Sequence, residues 1–351
     1  MRAEEMRAIA AVIWLVIVSD RLFGQTPVNT VAAPSKSATP ALLAVPSNGP
    51  QRLTNVMDRY PQLSRDGTKL VFDSNRSGTW QIYTAKFNRS AAEKGGVRYS
   101  IDAIRQITAL PYPARCPAWS PDMRKIAFAA EPGGHSEIFV MDADGSHIVQ
   151  LTHADADDSH PHWSSDGSRI MFNSSRTMPT PSTDPSKEED ELFSMKPDGS
   201  DVRQHTHFRA ICTFGSFSPD MKKIAYRKVT QTPGMQWDLS PARRNSEVFV
   251  AEVDGTNEVN ISKHPAFDGW PTWSQDGRTI AFASNRAGPA NVGQVFFVNP
   301  DGSNLRQITK GPSSFVQPSW SADGRLLLVY ENHETADYEY GNISVIEVPS
   351  K

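Results

Sequence analysis

The sequence lacks the patterns that most often reveal an enzyme or a nucleic-acid-binding protein. It contains no G-x-S-x-G, so the nucleophilic serine turn of an α/β-hydrolase is not encoded. It also contains no H-E-x-x-H, which excludes a helical zinc site of the metalloprotease type. A formal net charge of −3 provides no basic field for nucleic acid or for an anionic membrane. With two cysteines, the chain is not a scaffold held together by many disulfides.

Apolar runs long enough to span a bilayer are missing as well. Ala8–Val18 is an uninterrupted apolar stretch of 11 residues, preceded by Arg2 and Arg7. That length is too short for a transmembrane helix and is typical of a secretory signal, which we predict over residues 1–25. Two alternatives stay open, namely a start at Met6 and retention of the signal as an anchor. The sequence therefore predicts export to the periplasm or outside the cell, with no membrane insertion after cleavage.

Residues 26–50 form a segment of low complexity. They contain five prolines among Ala, Ser, Thr and Val, without any periodicity. Such a composition is typical of a semi-extended spacer. We therefore predict a linker over residues 26–50 and a folded domain over residues 51–349.

The predicted domain repeats one unit six times, and Asp268–Thr309 shows the unit in full. The pairs Asp276-Gly277 and Asp301-Gly302 separate short runs of apolar, β-branched and aromatic residues. Asp-Gly between such runs is a strong hairpin signal, because Gly accepts the positive φ of a tight turn. The unit is thus predicted to be a four-stranded antiparallel meander, with strands at Pro271–Ser274, Thr279–Ala283, Gln294–Asn299 and Leu305–Thr309.

Each copy is marked by a large side chain, followed by Ser one position later and Asp three positions later. The six marker residues are Leu63, Trp119, Trp163, Phe217, Trp273 and Trp320. The next strand is apolar on both faces, as packing of one sheet against the next requires. Recurring four-stranded meanders of this kind predict an all-β, six-bladed β-propeller.

The ends of the repeats predict how the ring closes. Five copies end on a short strand of the type Gln-Ile-Thr, whereas the last copy has no such strand. The missing strand stands before the first copy, as Arg52–Thr54. The N-terminal strand is therefore predicted to complete the last blade, which removes exposed edges. An open solenoid is the alternative, but it would need capping repeats.

The repeats resemble those of the TolB family, which follow D-x-x-P-x-W-S-P-D-G-x-x-I-A-F-x-S. Trp119-Ser-Pro-Asp122, Phe217-Ser-Pro-Asp220 and the stretch from Asp268 carry the resemblance. It implies the same type of propeller over residues 51–349. TolB-like proteins also have an N-terminal α/β domain, and similar propellers precede hydrolase domains of the prolyl oligopeptidase type. We expect neither domain here.

Three copies share a second pattern, an acidic residue three positions before the repeat proline and an arginine 18 positions later. The pairs are Asp58 with Arg76, Asp158 with Arg176, and Asp268 with Arg286. Copies two, four and six have neither residue, and this joint presence predicts that the two side chains meet. The pairs are interpreted as braces between loops. A ring of charges that holds a ligand is the alternative.

The residue just before the repeat proline is predicted to lie at the mouth of the central channel. These six mouth residues are Tyr60, Cys116, His160, Phe214, Trp270 and Gln317. Arg59 and Arg115 precede two of them and add positive charge. Because the six differ in every copy, we predict a ligand- or partner-binding site of mixed aromatic and polar character. Tolerated variation at exposed positions is the alternative.

Two insertions are predicted on the same face, Thr177–Asp190 and Lys228–Asn245. Long loops on a rigid scaffold often carry function. Trp237, in the second insertion, is interpreted as a partner contact or as a lid over the mouth.

The sequence favours binding over catalysis. No residue is assigned a catalytic role, no cofactor is expected, and Cys116 and Cys212 belong to different copies and are predicted to be free thiols.

The predicted function is an exported, monomeric module of the cell envelope that binds a protein or peptide at the mouth residues, and not nucleic acid. The alternative is a periplasmic carbohydrate-active lyase or hydrolase with a divalent metal near His160, where His153, Asp155, Asp157, Asp158 and His162 are also close in sequence. Some related propellers are sugar lyases that use channel histidines and a metal. A third possibility is a scaffold whose spacer sets its distance from the membrane.

Overall fold

A computed structural model describes residues 49–93, 95–178, 189–230, 234–235, 241–242, 245–289, 292–332 and 341–348. The predicted signal, most of the predicted spacer, and Trp237 lie outside the described residues. Within them, six four-stranded antiparallel sheets and one two-stranded ribbon are formed. No helix in this part of the chain is both long and apolar enough to cross a membrane.

The first strands of the six blades form the inner ring, since each contacts the first strands of both neighbouring blades. They are β2 (Asp58–Leu63), β6 (Ala114–Trp119), β10 (Asp158–Trp163), β14 (Cys212–Phe217), β20 (Asp268–Trp273) and β24 (Ser314–Trp320). All six end on the large marker residue that the repeats predict. The second strands are β3 (Lys69–Ser74), β7 (Lys125–Ala130), β11 (Ile170–Ser174), β15 (Lys223–Val229), β21 (Ile280–Ser284) and β25 (Leu326–Asn332).

The third and fourth strands complete each blade towards the outside. The third strands are β4 (Gln81–Ala91), β8 (Glu137–Asp142), β12 (Glu191–Met195), β18 (Ser246–Glu252), β22 (Gln294–Val298) and β26 (Gly341–Glu347). The fourth strands are β5 (Val97–Gln106), β9 (Val149–Gln150), β13 (Arg203–Gln204), β19 (Val259–Asn260), β23 (Arg306–Gln307) and, in blade six, β1 (Gln51–Arg52). The ribbon pairs β16 (Gly234–Met235) with β17 (Pro241–Ala242). The predicted all-β, six-bladed propeller is confirmed.

The N-terminal strand closes the ring, as the sequence predicts. Gln51 lies opposite Val345 and Arg52 opposite Ser344 in antiparallel register. The Leu53 amide donates to the Ile343 carbonyl at 2.7 Å. Because these bonds pair the outer edge of blade six, the sheet has no free edge there.

An insertion in blade one covers this closing strand. Residues that replace the usual tight turn extend β4 and β5 into a long hairpin. The Gln51 side chain donates to the Val97 carbonyl at 2.9 Å and accepts from the Tyr99 amide at 3.1 Å. The Tyr99 hydroxyl donates to Glu347 at 2.8 Å. The hairpin therefore holds both β1 and β26 in place.

The S-x-D segment recurs because it builds the turn between the first and second strands. In blade five, the Ser274 hydroxyl donates to Asp276 Oδ1 at 2.6 Å and the Arg278 amide donates to the same oxygen at 3.0 Å. The next residue has a positive φ in all six blades, and it is Met123 or Met221 in the two blades that lack glycine. The Asp side chain thus fixes the turn tightly enough to hold a methionine in the left-handed region.

The predicted Asp–Arg pairs form in all three blades that encode them. In each pair, an Arg Nη2 lies 2.7 Å from a carboxylate oxygen of the Asp. The aspartates of the three pairs are fully buried. In each case, the Arg Nε also donates to the serine that ends the second strand. These contacts are those expected of a brace between loops.

The braces also reach the preceding blade. Arg286 Nη2 donates to the Ser262 carbonyl of blade four at 3.1 Å. The hydroxyl groups of Thr54, Thr152 and Ser262 follow the fourth strands of blades six, two and four. They lie beside the three aspartates and partly lower their pKa. Burial nevertheless raises the pKa of all three aspartates, against the attraction of their arginines. Each brace thus links two blades.

A buried carboxyl in blade two gives the fold a pH dependence. Glu137 begins β8, and its Oε2 accepts from the Thr152 hydroxyl at 2.5 Å. Burial raises the pKa of Glu137 to about 7, and repulsion from Asp158 adds to the rise. Because this pKa lies above its ordinary value, the contribution of Glu137 to stability is present in acid and is lost as the pH rises through about 7. Gln81 and Gln294 occupy the same position in blades one and five.

Glu137→Gln is therefore expected to stabilise the protein at pH 8 and to leave it unchanged at pH 5. Glutamine keeps the acceptor for Thr152 and carries no charge to desolvate. A gain of about 1 kcal/mol would raise the melting temperature by roughly 2 to 4 °C. The measurement is thermal unfolding of the variant at both pH values, with Glu93→Gln, an exposed position, as the control. Equal effects of Glu137→Gln at the two pH values would contradict the assignment.

Candidate functional site

A bulge in each inner strand turns the six mouth residues towards the channel. The register of every first strand shifts at the mouth residue. All six mouth residues have φ between 50° and 56°, although none is glycine. The next residue is proline in five blades and Gly215 in blade four. Proline has no N–H for the ladder, so the pair X-Pro suits a bulge, and a bulge re-aims the side chain before it.

The six mouth residues surround one cavity of about 130 Å³. A second layer, two positions further along each strand, lines it more deeply, with Gln62, Ala118, His162, Ser216, Thr272 and Ser319. No Asp, Glu, Lys or Arg is among the described residues that line it. The structure thus brings together all six predicted positions, while their role in binding stays a prediction.

Four of the mouth residues form a continuous aromatic arc, which consists of Tyr60, His160, Phe214 and Trp270. The ring centroids are separated by 5.7 Å, 4.4 Å and 5.5 Å in that order. The Tyr60 hydroxyl and His160 Nε2 are 3.2 Å apart, within hydrogen-bond distance. Such spacings are those of favourable aromatic pairs, so the arc presents a stable apolar wall with polar tips.

The other two mouth residues are more enclosed. Gln317 is 8% exposed and its Oε1 accepts from the Tyr60 amide at 3.0 Å, so its side chain supports the arc. Cys116 is 6% exposed and its amide donates to Asp73 Oδ2 at 2.9 Å. Cys116 and Cys212 are both free thiols, as predicted.

The two arginines predicted beside the mouth lie behind it and share one aromatic ring. Arg59 is 3% exposed, and its Nε is 3.5 Å from Asp73 Oδ1. Its Cζ lies 3.8 Å from the ring centre of Trp80, and the Cζ of Arg115 lies 5.4 Å from the same ring. Asp73 therefore offsets the charge of Arg59, and Arg59 has little surface left for a ligand.

The residues around His160 do not fit a metal ion. Of the five neighbours suggested by sequence, His162 lines the cavity with His160, and Asp157 lines a smaller adjacent pocket of about 30 Å³ with it. Asp155 pairs with His135 at 3.0 Å, Asp157 accepts from the Ser136 amide at 2.8 Å, and Asp158 belongs to a brace. Within the described part of the chain, no group of three or more His, Cys, Asp or Glu side chains is arranged to hold a metal. Burial lowers the pKa of His162 and favours its neutral form.

Sequence reasoning missed two residues beside the arc, Arg227 and Phe267. Phe267 packs on Trp270, with ring centroids 5.2 Å apart. Arg227 lies in β15 opposite Thr213, and its Cζ is 5.1 Å from the ring centre of Phe267. The sequence contained a signal for Arg227. In the second strand, the position after the large aromatic residue is alanine in blades two and five but arginine in blade four.

Comparison with known proteins supports the fold. The family described as "PD40: TolB beta propeller domain" matches residues 98–231 and 239–347. A Protein TolB homolog of Chlorobium luteolum is 26% identical over 196 residues, which are 55% of this chain and 36% of that protein. An uncharacterised peptidase of Bacillus subtilis, YuxL, is 24% identical over 64% of this chain and 29% of its own length. The chain thus spans about a third of the length of these curated relatives.

Solved structures share the same architecture. The putative TolB from Agrobacterium tumefaciens aligns with a TM-score of 0.56 and 18% identity, over 85% of this chain and 92% of that one. An oligogalacturonate lyase in complex with manganese aligns with a TM-score of 0.54 and 16% identity, over 87% of this chain and 95% of that one. At these identities the likeness extends to the fold alone. With its six closed blades and a family match over more than half of its length, the chain belongs to the TolB β-propeller (PD40) family.

Proposed function

We propose that this propeller is a non-catalytic binding module of the cell envelope that holds a protein or peptide at its mouth residues. The observation that supports it is the aromatic arc beside a cavity lined without Asp, Glu, Lys or Arg among the described residues. Aromatic side chains anchor peptide and protein partners because they bury much apolar area at little entropic cost. The bulges support the same reading, since all six re-aim a side chain into the channel.

We also propose where the protein is located and that it is monomeric. The predicted signal supports export, and we place the mature protein in the periplasm or outside the cell, as a monomer. The balanced net charge argues against nucleic acid as a partner.

The double variant Tyr60→Ala/Trp270→Ala tests the proposal. Both side chains belong to the aromatic arc, so their removal is expected to reduce recovery of partners from envelope extract by at least about tenfold. The control is Val259→Ala/Leu305→Ala, which truncates two side chains exposed at 40% and 43% on the outer rim. Thermal unfolding of both variants shows whether the fold is kept. Equal recovery by the wild type and the arc variant would show that the site is elsewhere.

A carbohydrate-active enzyme is the second candidate. It is supported by the fold shared with a manganese-bound oligogalacturonate lyase and by two histidines in the channel. The lack of a three-residue ligand group among the described residues argues against it. Elemental analysis of the purified protein separates the two candidates, because a stoichiometric divalent ion would favour the enzyme.

A further inference from the structure

Arg227, an arginine beside the mouth, is hydrogen-bonded to two hydroxyl groups. Arg227 Nε donates to the Ser246 hydroxyl at 2.6 Å, and its Nη1 lies 3.4 Å from the Thr213 hydroxyl. No carboxylate among the described residues forms an ion pair with it. The arginines of the three braces, by contrast, each pair with a buried aspartate. Placing a guanidinium among protein groups without a carboxylate paired to it costs free energy.

Arg227 lies next to two residues that directly precede members of the aromatic arc. On the neighbouring strand β14, Arg227 lies opposite Thr213, which directly precedes Phe214. On the other side, its Cδ lies 3.5 Å from the point where a Cβ of Gly269 would stand, and Gly269 directly precedes Trp270. The guanidinium thus lies just behind two rings of the aromatic arc. Its side chain is half-buried and keeps some accessible surface.

The charge on Arg227 persists at neutral pH. Burial lowers the pKa of Arg227 to about 10, still well above neutral, and the negative charge of Asp190 opposes the decrease. A cation near a cavity lined by uncharged residues suits a ligand with one negative group and one apolar group.

We infer that Arg227 binds the C-terminal carboxylate of a peptide whose last side chain, apolar or aromatic, enters the cavity between the rings of the aromatic arc. The inference rests on the proposed function and adds the chemical class of the ligand. The planar guanidinium matches a carboxylate in a bidentate arrangement. A cavity of about 150 Å³ is sufficient for a benzene ring, so the observed volume of about 130 Å³ suits one side chain rather than a folded segment.

The test compares two probes that differ only in charge, N-acetylphenylalanine and N-acetylphenylalaninamide. Binding to the full chain is measured by titration calorimetry and by the fluorescence of the protein's tryptophans. The wild type is expected to bind the carboxylate at least about tenfold more tightly than the amide, as for a charge-assisted pair. Arg227→Gln is expected to abolish this preference while binding the amide as before. Arg227→Lys, which keeps the charge, is expected to retain part of it.

The controls separate this inference from the proposed function. Arg278→Gln removes an exposed arginine in the turn that follows Trp273 and is expected to change nothing. Equal affinity of the wild type for the two probes, or no binding of either at 10 mM, overturns the inference, whereas partner capture through Tyr60 and Trp270 would still stand. Tighter binding of galacturonate than of N-acetylphenylalanine would overturn the peptide assignment in favour of an acidic sugar.

Discussion

Deletion of Gln51–Thr54 from the full chain is expected to lower the melting temperature by at least about 10 °C and to cause association of the variant. These four residues supply the fourth strand of blade six and the hydroxyl that follows it. Their loss breaks the ladder to β26, the bond from Leu53 to Ile343 and the bond from the Ile343 amide to Thr54 Oγ1 at 3.0 Å. It also exposes the edge of β26, which becomes free to pair with another chain.

A deletion of equal length elsewhere provides the control. Removal of residues 36–39, in the predicted spacer, shortens the chain by the same amount and is expected to leave the melting temperature unchanged. Thermal unfolding and size-exclusion chromatography of both variants are the measurements. If the two deletions behaved alike, β1 would not be what closes the ring.

Asp268→Ala is expected to destabilise the protein by about 3 to 5 kcal/mol, because it leaves a guanidinium that is 9% exposed without its carboxylate. Arg286 would keep its bonds to Ser284 and to the Ser262 carbonyl but would lose its counter-charge. The melting temperature should fall by roughly 5 to 15 °C. Ligand binding at the mouth residues should persist, since a brace holds loops and does not contact the cavity.

Two further variants make this test specific. Asp301→Ala removes an exposed carboxylate of the same blade whose Oδ1 accepts from the Ser303 amide and hydroxyl, and it is expected to cost less than about 1 kcal/mol. Combining Asp268→Ala with Arg286→Ala should cost less than the sum of the two single changes, because the unpaired charge is removed. An unchanged melting temperature for Asp268→Ala together with lost ligand binding would show that the pair belongs to a binding site.

The blades could be predicted from the sequence because their determinants are local and repeated. The S-x-D turn acts within five residues, and each Asp–Arg pair joins residues of one blade. Strand limits were less well determined. The first strand of blade five begins at Asp268 rather than Pro271, and its fourth strand is Arg306–Gln307 rather than Leu305–Thr309. Both differences arise from pairing: the bulge lets the first strand continue beyond the proline, and only two residues of the fourth strand find partners on β22.

The candidate site could be predicted only in part. The X-Pro pairs gave the position of the six mouth residues, since proline favours an irregular strand at a fixed place. The burial of Arg59 and the lack of an ion pair at Arg227 depend on which side chains the neighbouring blades bring close, here Trp80 and Phe267. Neither contact follows from the local pattern of one repeat.

The braces divide the propeller unevenly. Through Thr54, Thr152 and Ser262 they join blade six to one, blade two to three, and blade four to five, whereas the interfaces between blades one and two, three and four, and five and six encode no such pair. The ring can therefore be regarded as three double blades separated by three seams. Three interfaces thus contain a buried ion pair, whereas the other three are held by hydrogen bonds such as those from Gln81 to the Leu110 carbonyl and from Gln294 to the Ser313 carbonyl, so the chemistry of the ring alternates with threefold rather than sixfold symmetry.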